Sequence, residues 1–64
     1  MLFGTGDLVY FEDLNGIVYL SVVLADGACG YGSETRVIYI IYSIVNRSTW
    51  LAYESELSPA KNFT

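Results

Sequence analysis

Histidine is absent from this chain, cysteine and proline occur once each, and basic residues number three. Without histidine there is no Ser-His or Cys-His relay, and a lone thiol, Cys29, can neither close an intramolecular disulfide nor complete a familiar zinc spacing. No cation stands beside Cys29 to generate a thiolate, so a nucleophilic role is not expected of it. Glu54 and Glu56 are the nearest thing to a carboxylate pair, and they read equally well as a solvated turn. The expectation is a non-enzyme with no cofactor and no metal centre. Three cations against seven carboxylates leave a net charge of −4, which disfavours nucleic-acid binding through bulk charge while leaving room for a local positive patch. No apolar run approaches the roughly 20 residues that span a bilayer, and the amino terminus Met1-Leu2-Phe3-Gly4 lacks the pattern of a secretory signal. A soluble cytoplasmic protein without a membrane partner is expected, and the unpaired thiol agrees with a reducing compartment.

What the chain has in plenty is strand-forming residues. Aliphatic and aromatic side chains make up 53% of its 64 residues, enough to exclude disorder and too few in number to build a large core. A domain of this size buries only about 60% of the surface its unfolded chain exposes, so self-association is the remaining source of stability once disulfides and metals are set aside.

The stretch from Val37 to Val45 organises the rest. It has no charge, glycine or proline, and it is rich in the β-branched and aromatic residues that suit a pleated surface. Alternation places Ile38, Ile40, Tyr42 and Ile44 on one face and Val37, Tyr39, Ile41, Ser43 and Val45 on the other. Both faces are apolar, which predicts that the second is covered by another copy of the chain, through Tyr39, Ile41 and Val45.

Before it, Leu8 to Phe11 reads as a short strand with Val9 and Phe11 inward, and Asn15-Gly16 as a tight hairpin turn. A second strand from Ile17 to Ala25 follows, with Val18, Leu20, Val22 and Leu24 as its core face. Asp26 to Thr35, with three glycines, reads as a long mobile loop, and because it leads into a strand with no following lysine it is not a phosphate cradle. After the organising strand come a turn at Asn46-Arg47-Ser48 and a fourth strand from Thr49 to Tyr53. A single helical turn over Glu54 to Pro59 then tucks Leu57 into the core, and a short fifth strand is allowed between Ala60 and Thr64.

Four to five short antiparallel strands in one domain predict an all-β fold, a small strongly bent SH3-like barrel rather than a sandwich. Parity puts the Asn15-Gly16 and Asn46-Arg47 turns at one end and the glycine loop with the Glu54 turn at the other. Each end then holds an aromatic beside an arginine: Tyr31 with Arg36, and Trp50 with Arg47. Such pairs are what single-stranded nucleic-acid binders use, although core packing of Trp50 and pairing of Arg36 with Glu34 and of Arg47 with Asp13 are the plainer alternatives.

Gly6-Asp7-Leu8-Val9-Tyr10-Phe11, Asn15-Gly16-Ile17-Val18, Thr49-Trp50-Leu51 and Glu56-Leu57 together resemble small SH3-like and Tudor-like modules of phages and bacteria. More narrowly, the chain resembles the Sm-like proteins of marine cyanophage origin. That resemblance implies a homo-oligomeric ring of roughly five to seven protomers with cyclic symmetry, binding single-stranded RNA or DNA. The Arg-Gly pair of the second Sm motif has no counterpart between Ile38 and Asn46, so no RNA-contacting residue carries over by position. A phage structural or peptide-binding module is the alternative, favoured by the acidic charge and by open strand edges.

Overall fold

Residues 2–31 and 34–60 are described by the computed structural model, without the side chains of Cys29, Tyr31, Glu34 and Thr35. Five strands form one antiparallel sheet: β1 (Leu8–Glu12), β2 (Val18–Tyr31), β3 (Glu34–Ser43), β4 (Ser48–Tyr53) and β5 (Leu57–Pro59), with a 3-10 turn, Glu54–Glu56, between the last two. The spatial order is β4-β3-β2-β1-β5. The fold is therefore all-β, a small barrel-like sheet of bent strands whose edge strands, among the described residues, are β4 and β5.

Register decides which side chains are inside, and here the expectation for β2 is reversed. Val9 pairs with Ser21 and Phe11 with Tyr19, which puts Tyr19, Ser21 and Val23 on the core side and Val18, Leu20, Val22 and Leu24 outside. The cause is the β1–β2 turn. Asp13 closes it from both directions: its N–H donates to the Ile17 carbonyl, its carbonyl accepts the Gly16 N–H, and its Oδ1 accepts the Asn15 and Ile17 N–H groups at 2.9 Å each. The turn is thus wider than a two-residue Asn-Gly hairpin, and a slip of one residue moves a whole strand face.

The same reversal applies to β3. Tyr39 and Ile41 are fully buried inside the single chain, so neither is free to meet a second copy, and of the three expected interface residues only Val45 is exposed. A bulge at Leu24, where the register passes from Val23–Ile41 to Ala25–Ile40, sharpens the bend of β2 over this core. Ser21 and Ser43 sit opposite each other at the centre, where small side chains let the bent strands approach. Their hydroxyls are not wasted: Ser21 Oγ donates to the Tyr19 carbonyl and Ser43 Oγ accepts the Asn46 N–H, both at 3.4 Å.

The expected glycine loop is mostly strand. Gly27 pairs with Ile38 and Gly30 with Thr35, so the β-branched run of β3 draws its glycine-rich neighbour into a long two-stranded ribbon. β3 accordingly starts at Glu34 and stops at Ser43, leaving Ile44 and Val45 in the turn, where Arg47 takes a positive φ of 57°. Leu57 is buried as expected, but the helical turn expected over Glu54 to Pro59 is a 3-10 turn confined to Glu54–Glu56, because Leu57–Pro59 pairs with β1 instead. The fifth strand lies earlier than expected, over Leu57–Pro59, and residues 61–64 fall outside the described part.

The amino-terminal segment completes the core. Phe3 packs edge-on against Tyr39 with ring centroids 5.5 Å apart, and Gly6 N–H donates to the Val23 carbonyl at 2.8 Å.

Candidate functional site

Because both faces of the central strands are apolar, reversing the parity does not remove the exposed apolar surface; it changes its members. The outer face now carries Leu8, Tyr10, Val18, Ile40, Leu51 and Tyr53, each between 38% and 67% exposed. Register rows join them across the sheet, as in Leu51–Ile40–Ala25 and Tyr53–Ile38–Gly27. Among the described side chains, the only charges on this face are Glu12 at one end and Arg36 at the other.

Arg36 lies where the ribbon meets the Glu54 turn. Its guanidinium sits 5.5 Å from the centre of the Tyr53 ring, at the rim of a shallow depression of about 300 Å³ lined by Arg36, Val37, Tyr53, Glu54 and Ser55. Tyr31, the aromatic expected beside Arg36, has its side chain outside the described part. Tyr53 takes that place instead, and the signal for it is strand four laid antiparallel on strand three, since Ile38 pairs with Tyr53 and Arg36 precedes Ile38 on the same face. Glu54 is more than part of a solvated turn. Its Oε2 accepts the Tyr39 hydroxyl at 2.7 Å and the Leu2 N–H at 2.9 Å, and these bonds hold its carboxyl below the usual range.

At the opposite end, Trp50 packs against Phe11 and Tyr19, with centroid separations of 6.1 and 6.5 Å. Phe11 and Tyr19 are themselves stacked at 6.3 Å. The Tyr19 hydroxyl donates to Asp13 Oδ2 at 3.2 Å; burial first, and this bond second, raise its pKa, while the Ile17 N–H above all keeps Asp13 acidic. Trp50 is thus mainly a packing residue with one flank open, which is the plainer of its two sequence readings. Arg47 is exposed in the adjoining turn and forms no cation–ring contact with Trp50, so the second expected aromatic–arginine pair is not assembled.

The buried hydroxyls of Ser21, Ser43 and Tyr39 are engaged in hydrogen bonds, and among the described residues no three His, Cys, Asp or Glu side chains come together as a metal site. No helix among them is long and apolar enough to cross a membrane. No protein-family model, curated protein or solved structure matches this chain.

Proposed function

We propose that this protein is a small-barrel interaction module that assembles with copies of itself. The observation that carries this is the outer sheet face, apolar from Leu8 across to Leu51 and, among the described side chains, free of charge except at its two ends. A single-layer antiparallel sheet turned toward water is ordinarily polar outside, and a contiguous apolar surface of this kind serves contact with another protein surface. Light scattering on the purified chain tests it: an oligomer is expected at micromolar concentration. Ile40→Lys should lower the mass while the circular dichroism of the fold is retained. A monodisperse monomer overturns the reading.

A second reading is favoured by one specific contact, Arg36 over Tyr53 beside the depression. A cation and an aromatic face presented together fit a base and its phosphate, and repetition around a ring of roughly five to seven protomers would add weak contacts into a useful affinity. This is the Sm-like reading, with single-stranded RNA or DNA as the ligand. It stands second because the chain carries a net charge of −4 and Trp50 is largely used in packing. A mobility shift with short single-stranded RNA and DNA at low salt tests it, and absence of binding by the intact assembly rejects it.

A further inference from the structure

The two open edges of the sheet are not alike. On β5 the backbone groups of Leu57 and Pro59 point away from β1, since Ala60 N–H donates inward to the Leu8 carbonyl and direction alternates along a strand. Leu57 N–H is already bonded to the Glu54 carbonyl and Pro59 has none, so this three-residue edge presents no free donor. Shortness and proline are the usual ways of closing an edge to strand addition.

On β4 such a device is found only at the end of the strand, where the outward Tyr53 N–H is bonded to Glu56 Oε1; Thr49 and Leu51 have none among the described residues. The strand Ser48–Tyr53 contains no charge, proline or bulge. Its outward backbone groups are those of Thr49, Leu51 and Tyr53. Two observations fix this: the Tyr53 N–H points away from β3 to Glu56 Oε1 at 2.8 Å, and Ile44 N–H donates to the Leu20 carbonyl on β2, which turns Ser43, Ile41 and Tyr39 toward β4. Three of its side chains are large and exposed: Trp50, Leu51 and Tyr53, with Leu51 at 67%.

We infer that β4 pairs antiparallel with β4 of a second copy, about a two-fold axis at Leu51. This rests on the self-assembly reading and names the surface that begins it. The pattern of free groups is self-complementary in this register. Leu51 exchanges both backbone bonds with Leu51 of the other copy, and Thr49 N–H donates to the Tyr53 carbonyl opposite. The Tyr53 N–H, which would otherwise donate to the Thr49 carbonyl opposite, is held by Glu56, so each flank of the pairing makes one backbone bond rather than two. Side chains agree: Trp50 falls opposite Ala52, a large residue against a small one, and no like charges meet along an uncharged strand. A different protein's strand would satisfy the same edge, but only a second copy brings the same donor, acceptor and size pattern in reverse. The pairing joins both sheets into one and makes the apolar outer faces continuous.

Cysteine crosslinking tests this. In a Cys29→Ser background, Leu51→Cys places two thiols on a hydrogen-bonded antiparallel pair, whose Cα atoms lie about 5.5 Å apart and within disulfide range. Mild oxidation with diamide should convert most of the chain to a disulfide-linked dimer. Thr49→Cys in the same background, which meets Tyr53 rather than itself, should remain unlinked, and Leu51→Lys should halve the mass seen by light scattering with the circular dichroism unchanged. An oligomer that crosslinks poorly at position 51, or equally well at 49, overturns the β4 pairing and leaves self-assembly through another surface. A monomeric unmodified chain overturns both and leaves β4 to a strand from a different protein.

Discussion

The hydroxyl of Tyr39 donates to Glu54 Oε2 at 2.7 Å and accepts the Phe3 N–H at 3.3 Å. Through this one group the buried centre of β3, the turn before β5 and the amino-terminal segment are tied together, since Glu54 Oε2 also takes the Leu2 N–H. Tyr39→Phe keeps the ring and its contact with Phe3 but removes the hydroxyl. Its thermal midpoint should fall, and amide exchange should accelerate first at Leu2 and Phe3. Unchanged protection there would mean that the bond does not hold the segment.

Stability should depend on pH at both extremes. The Glu54 carboxyl is held below its usual range, chiefly by the Tyr39 hydroxyl, and that of Asp13 chiefly by the Ile17 N–H. A folded-state pKa below the unfolded one means that the unfolded chain binds the proton more tightly. This contribution is complete above the unfolded values, about 4, and is lost as pH falls through the folded ones. Tyr39 and Tyr19 are shifted upward, mainly by burial. Their contribution is complete below about pH 10 and disappears as pH rises through the folded values. Denaturation curves should show a plateau between about pH 5 and pH 9, and the acid limb should shrink in Glu54→Gln.

Core and surface members of the organising strand should separate cleanly on truncation. Ile41→Ala removes a fully buried side chain and should cost about 2–5 kcal/mol, whereas Val45→Ala, in the exposed turn, should stay within about 0.5 kcal/mol. Urea denaturation of the two variants checks this. Comparable losses at both positions would contradict the register of β3.

Gly16 holds a φ of +83° in the β1–β2 turn, a conformation that costs a residue with a Cβ roughly 1–2 kcal/mol. Space is not the obstacle, because a Cβ at this position would have Glu12 Oε2 as its nearest neighbour, 3.8 Å away. Gly16→Ala should therefore destabilise through the backbone alone, and a melt indistinguishable from the parent would show that the turn relaxes.

If single-stranded nucleic acid is bound, Arg36→Ala should weaken it and flatten its dependence on salt, and Tyr53→Ala should cost roughly 1–3 kcal/mol for a stacked base. Arg47→Ala should change little, because Arg47 stands apart from the Trp50 cluster. Filter binding across a salt series reads all three.

Composition and local pattern determined the class of this protein. The run from Val37, the short strand at Leu8, the break at Asn46 and the turn before Leu57 are each legible because β-branched runs and turn residues act over a few neighbours. Even the presence of an unsatisfied apolar face follows, since both sides of Val37 to Val45 are apolar whichever way they turn. Which side is inside could not be read there. It depends on register, and register was set by one carboxylate, Asp13, bonding the N–H groups of Asn15 and Ile17 and widening a turn that Asn-Gly alone would have made tight. The same holds for the partners of Arg36 and the freedom of β4: cross-strand neighbours and backbone directions exist only once strands far apart in sequence have paired.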